Sequence, residues 1–190
     1  MTKHICVYCS SSNSVAPVYF EVARQLGVLL AQQGWRLVYG GGDVGLMGAL
    51  ARTLHDNGGY VIGVIPQSLR EKEVGYDACD ELIVTTTMRE RKAIMEDKAD
   101  AFIVLPGGFG TLEELLEMLT AKQLKFHQKP IVIVNIAQFY DALLAMFEQM
   151  FAAKFARLED QHLYTVTQNA SDAITYIENY TPPDIPDKWL

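Results

Sequence analysis

Two short stretches of this chain combine residue types suited to handling a phosphorylated sugar. Pro106-Gly107-Gly108-Phe109-Gly110-Thr111 is followed by the acids Glu113 and Glu114, and Arg91-Lys92 lies on a charged segment that begins at Met88. Glycines where a loop enters a helix let backbone N–H groups approach an anion, and the helix N-terminus adds partial positive charge. A guanidinium such as that of Arg91 forks onto phosphate or carboxylate. A carboxylate fixed beside such a site lies within reach of a bound nucleotide's ribose. A third stretch, Gly40-Gly41-Gly42-Asp43-Val44-Gly45, formally matches G-x-G-x-x-G.

Each stretch also has a plainer reading. Residues 40–45 follow the second expected strand and not the first. The third strand ends Ile65-Pro66 instead of supplying the acid that holds a ribose in dinucleotide folds. A tight turn, or the phosphate of a mononucleotide, fits that loop better than NAD. The loop at 106–111 is not a Walker A motif, since no lysine follows its last glycine. Thr111-Leu112-Glu113-Glu114 equally reads as a capping box, with Thr111 as N-cap and Glu114 reaching back to its N–H. Arg91 and Lys92 border the stripe Met88, Arg91, Lys92, Met95 and Ala99, expected to face inward, from which a lysine can snorkel to water. Cys6 and Cys9, three apart in a strand, point to opposite faces and are expected to be core thiols. His4, His55, His127 and His162 show neither metal-ligand spacing nor a nucleophile partner, so neither a zinc site nor a triad is supported.

The elements that must position these residues follow from hydrophobic period. Short β-branched runs at 4–9, 35–39, 60–65, 81–85, 101–105 and 130–135 alternate with amphipathic stretches at 17–33, 46–57, 88–98, 111–125 and 138–153. That alternation predicts an α/β fold, a Rossmann-like doubly wound parallel sheet in three αβα layers forming one domain over 1–180, with an irregular tail at 181–190. Gly34 and Gly58-Gly59 sit just past helices, where a left-handed helix end is wanted. Ligands in such sheets lie beyond the carboxyl ends of the strands, where all the stretches named above fall. The helix after Thr111 carries Leu112, Leu115, Leu116 and Leu119, with Met118, Ala121 and Leu124 widening the apolar surface beyond one stripe; this suggests a homodimer. Sixteen basic against twenty-three acidic residues, a net charge of −7, give no field to attract a nucleic-acid polymer or an anionic membrane. Without a signal-like start, a membrane-length apolar run or an even cysteine count, a cytoplasmic location is the expectation.

Taken together the motifs resemble the LOG phosphoribohydrolases, a family often mislabelled lysine decarboxylases, whose signature P-G-G-x-G-T-x-x-E stands complete from Pro106 to Glu114. The resemblance extends over Cys6-Val-Tyr-Cys-Ser-Ser11, the run from Tyr39 to Gly48, Val61-Ile-Gly-Val-Ile-Pro66, Met88-Arg-Glu-Arg-Lys92 and Lys129-Pro130. It implies homodimeric hydrolysis of the N-glycosidic bond of cytokinin riboside 5′-monophosphates, and of AMP, to free base and ribose 5-phosphate, with no metal or organic cofactor. By motif, Arg91 and Glu114 would be catalytic. Gly107, Gly108, Phe109, Gly110, Thr111, Leu112 and Glu113 would hold phosphate and ribose, aided by Gly41, Gly42 and Ser11, while Glu73, Met88, Lys92 and Thr120 would line the nucleotide site. Ser10, where many members have glycine, and Ala121-Lys122-Gln123, where many have Trp-Ala-Gln, depart from the pattern. A carrier of a nucleotide or phosphorylated cofactor, like the molybdenum-cofactor carriers that share the glycine loops, is the alternative; such carriers need not keep the Arg and Glu pair.

Overall fold

A computed structural model describes residues 2–71 and 75–183. Seven strands, β1 (His4–Tyr8), β2 (Arg36–Tyr39), β3 (Tyr60–Pro66), β4 (Glu81–Thr85), β5 (Ala101–Val104), β6 (Ile131–Val134) and β7 (Thr165–Thr167), form one sheet in the order β4-β3-β2-β1-β5-β6-β7. Every pairing is parallel. The connecting helices are α1 (Pro17–Gln32), α2 (Gly45–Asp56), the single turn α3 (Gln67–Arg70), α4 (Met88–Lys98), α5 (Phe109–Gln123), α6 (Asp141–Ala152) and α7 (Ala170–Glu178).

The central strands are apolar at every position because both sheet faces are covered. Ile5, Val7, Ala101, Ile103, Val132 and Val134 point into one core with α1, α2 and α7; Cys6, Tyr8, Phe102, Val104, Ile131 and Ile133 point into the other with α4, α5 and α6. Cys6 and Cys9 fall in different cores, as their spacing requires, and burial pushes both thiols well above the ordinary cysteine range. They are neutral packing groups at pH 7. Gly34 and Gly58 adopt the left-handed φ expected of helix ends, whereas Gly59 does not.

Three expectations need correction. The six-strand reading omits β7 and α7; β7 is a three-residue, half-buried edge strand with little pattern to read. α7 had a signal, since Asn169 caps it through the Asp172 N–H and Ala170, Ala173, Ile174 and Ile177 repeat at helical spacing into the core. Finally, α5 begins at Phe109 with Gly108 as N-cap, so Thr111 is already inside the helix and the capping box does not form. Residues 184–190 of the expected tail lie outside the described residues. Among the described residues, no helix is long and apolar enough to cross a membrane.

The strand order reverses between β1 and β5, the switch point at which neighbouring loops part and leave a crevice. The loop after β1, the loop after β5 and the start of α4 meet there.

Candidate functional site

A cleft of about 400 Å³ opens at that switch point. Its wall is formed by residues 7–12 from β1 and its loop, Gly40 and Met47 beside α2, Leu69, Met88 with Arg91 and Met95 from α4, and Gly108 to Thr111 with Glu113 and Glu114 from α5. Of the residues singled out in the sequence, Arg91, Glu114, Ser11, Met88, Gly108, Phe109, Gly110, Thr111 and Glu113 are brought together here.

Arg91 and Glu114 are both buried and meet across two helices, Arg91 Nη1 donating to Glu114 Oε1 at 2.8 Å. Arg91 Nε donates to the Val64 carbonyl oxygen at 3.1 Å, so the guanidinium is fixed by β3 as well as by α5. Its remaining nitrogen, Nη2, lies where a side chain at position 40 would be: a Cβ there would stand 2.5 Å from it. Burial raises the Glu114 pKa above its ordinary value, opposed by the charge of Arg91 and by its hydrogen bond. Glu114 Oε2 accepts no hydrogen bond from the described residues, and Glu114 borders the cleft.

The N-termini of α2 and α5 both face this region, and they differ. At α2 the first N–H groups are already used by the chain: Gly45 N–H donates to Asn13 Oδ1 at 2.8 Å, and those of Leu46 and Met47 donate to the Ser10 carbonyl at 2.9 and 3.4 Å. Gly45 permits this closure, since its φ of +62° suits glycine and any Cβ would overlap the Ser11 and Ser12 backbone. At α5 the N–H groups of Phe109, Gly110 and Thr111 find no acceptor among the described residues, and the first bond of the turn is Leu112 N–H to the Gly108 carbonyl, 3.1 Å. An anion is therefore favoured at α5 and not at α2.

The remaining expected residues lie elsewhere. Gly41 and Gly42 brace the segment before β4: the Gly41 carbonyl accepts from Tyr76 N–H at 3.0 Å and Gly42 forms a bridge with Gly75. That segment is fastened again by His55, whose Nδ1 meets Tyr76 Oη at 2.9 Å and Nε2 meets Asp80 Oδ2 at 2.6 Å. Lys92 stands behind the cleft wall, its ammonium on Glu113 Oε1 at 2.5 Å and Glu117 Oε2 at 2.8 Å. These hydrogen bonds, that with Glu113 foremost, raise its pKa. Leu112 packs against the core on the α5 side, and Gly107 is covered by the side chain of Thr111. Thr120 is exposed further along α5, its hydroxyl donating to the Leu116 carbonyl at 2.7 Å. Glu73 lies outside the described residues. Gly40 and Met95, named in the sequence only as parts of a glycine loop and an inward stripe, and Met47 were not expected among the site residues yet line the cleft.

Residues 47–177 match the family model described as "Possible lysine decarboxylase". The cytokinin riboside 5′-monophosphate phosphoribohydrolase LOG2 of Arabidopsis thaliana is 41% identical over 95% of this chain and 84% of its own length. The chain belongs to the LOG family. A probable member from Oryza sativa subsp. japonica, LOGL1, is 43% identical over 93% of this chain and 79% of its own. Among solved structures, the molybdenum cofactor binding protein of Rippkaea orientalis superposes with a TM-score of 0.72 at 25% identity, covering 94% of this chain and 96% of that one. The molybdenum cofactor carrier protein of Chlamydomonas reinhardtii gives 0.72 and 25%, over 94% and 97%. This LOG-family fold therefore serves proteins named for turnover and proteins named for carriage, and the side chains in the cleft must separate the two.

Because only glycine leaves room for Arg91 Nη2, Gly40→Ala should displace the guanidinium without unfolding the protein. We expect turnover of the physiological nucleotide to fall about 100-fold while the thermal midpoint stays close to that of the parent. Parent-like turnover would show that Arg91 does not need this placement.

Proposed function

We propose that this protein hydrolyses the N-glycosidic bond of nucleoside 5′-monophosphates, cytokinin riboside 5′-monophosphates and AMP, giving the free base and ribose 5-phosphate. The observation that carries this reading is the buried Arg91–Glu114 pair, set in the wall of a cleft that also holds the open N-terminus of α5. Backbone N–H groups at 108–111 take the 5′-phosphate, remote binding energy that places the ribose. Loss of the base leaves an oxocarbenium-like ribosyl cation, and the Glu114 carboxylate faces that charge. Water adds at the anomeric carbon with Glu114 accepting its proton, and that proton passes to the base, which left with the bonding electron pair, so that Glu114 is regenerated; the shuttle suits a carboxylate whose pKa burial has raised. Arg91 holds Glu114 in place and clamps the nucleotide. Lys92 orients Glu113 toward the ribose.

The description of the matching family model would imply amino-acid decarboxylation on pyridoxal phosphate. The cleft does not fit that group. No lysine lines it among the described residues, and Lys92 has its charged form strengthened by two carboxylates, the reverse of what a Schiff-base amine needs. Carriage of a phosphorylated cofactor is the second reading, supported by the fold shared with the molybdenum-cofactor proteins. Binding alone gives no reason to bury a carboxylate beside the ligand's sugar, which favours the enzyme.

The same reading includes a homodimer. Leu116 and Met146 are exposed, and an apolar hollow lined by Leu116, Leu119, Phe147, Met150 and Phe151 lies between α5 and α6. A second copy would cover this face and bring its surroundings, Thr120 included, toward the nucleotide site. Light scattering should give the mass of two chains for the parent and of one for Leu116→Glu; a monomeric parent would remove this part of the reading.

Base release from a panel of nucleoside 5′-monophosphates, with their nucleosides as controls, tests the activity. Turnover should fall at least ~100-fold without the 5′-phosphate and at least ~100-fold in Glu114→Gln. In the parent, kcat should decline on acidification with a midpoint above 4.5, the ordinary glutamate value, because the raised pKa makes Glu114 take its proton earlier. Nucleotides that bind but release no base would remove the reading.

A further inference from the structure

The β6–α6 turn carries strain that no helix end accounts for. Among the described residues, four other than glycine have left-handed φ; Lys125 and Lys154 follow the ends of α5 and α6, where such a residue is ordinary. The other two, Ala137 at +51° and Gln138 at +61°, are adjacent and lie in a 3₁₀ turn just after β6. Left-handed backbone at consecutive residues with a Cβ is unfavourable and persists only where the surroundings impose it.

Here Asn135 imposes it. Buried at the end of β6, its Oδ1 accepts the Tyr140 N–H at 2.7 Å and its Nδ2 donates to Asp141 Oδ1 at 2.7 Å, while its own N–H donates to the Thr167 carbonyl at 2.8 Å. The turn thereby delivers Tyr140, fully buried, to the base of the loop after β5. Tyr140 Oη donates to the Leu105 carbonyl at 2.8 Å, and the Gly107 N–H approaches Tyr140 Oη itself. On the other side of the loop, the Pro106 carbonyl accepts from Ser10 N–H at 3.2 Å. The three residues leading into α5 are thus gripped from both sides, by the loop after β1 and by one phenol.

We propose that Tyr140 is a positioning residue for phosphate binding: its hydroxyl sets the path of 105–107 and so aims the N–H groups of 108–111. It touches neither phosphate nor ribose. The inference rests on the reading of the α5 N-terminus as the phosphate site. It predicts that losing the hydroxyl weakens every ligand held through its 5′-phosphate, in ground state and transition state alike, and so raises KM while sparing kcat.

Tyr140→Phe keeps the ring and removes the grip. Phe139→Leu is the comparison, because Phe139 packs edge-on against the Tyr140 ring at 4.9 Å between centroids and makes no polar contact with the loop. Tyr140→Phe should raise KM for AMP, and the calorimetric Kd for ribose 5-phosphate, about tenfold, with kcat changed less than about threefold. Phe139→Leu should leave both constants within about twofold of the parent, whatever it does to the thermal midpoint. Parent-like KM and Kd in Tyr140→Phe, or equal weakening in Phe139→Leu, would overturn the proposal. If the parent binds ribose 5-phosphate but releases no base, the hydrolase reading fails and the Kd comparison still decides the role of Tyr140. A parent that binds no ribose 5-phosphate overturns both.

Discussion

The ion pair between Arg91 and Glu114 organises the functional end of this molecule. Both groups are buried, and removing charges from water costs more than a single contact returns unless each charge is met by further polar partners. Arg91 has such partners in the Glu114 carboxylate and the Val64 carbonyl, which ties α4, α5 and β3 to a common geometry. Glu114 is the less satisfied member. Its folded pKa stands above the unfolded one, so the stability it lends is present below the ordinary glutamate range and is lost as pH rises through the folded value. Ionising Glu114 in the folded protein therefore works against folding stability.

Around that pair the fold disposes of its backbone donors unequally. Parallel strands deliver their loops to one edge of the sheet, so several helix N-termini face the same crevice. Asn13 and Ser10 close the N-terminus of α2, and the Gly41 carbonyl takes the Tyr76 N–H ahead of β4. At α5, by contrast, the N–H groups of Phe109, Gly110 and Thr111 are left to an external acceptor among the described residues. An acidic chain of net charge −7 can thus offer a local anion site without an overall field that would gather polyanions.

Much of this was legible in the sequence because it is written in local pattern. Short β-branched runs of five or six residues placed six strands, and the P-G-G-x-G-T-x-x-E run with Arg91-Lys92 pointed to the cleft. What local pattern could not supply were the partners. Thr111 and Glu114 have capping-box spacing, yet a buried guanidinium from another helix outcompetes the local N–H for the carboxylate. The glycine triplet did not reveal that residues 75 and 76 lie beside Gly41 and Gly42, nor that Arg91 Nη2 stands above Gly40. Tyr140 carries no motif at all; its connection to Leu105 spans 35 positions.

If Arg91 and Glu114 act as one unit, their effects on turnover cannot be independent. The most direct test is a double-mutant cycle of kcat/KM for AMP over the parent, Arg91→Ala, Glu114→Gln and the double variant. A working pair predicts that the double variant is about as slow as the slower single variant. Losses that multiply, each substitution exerting its full effect in the absence of the other, would contradict the account.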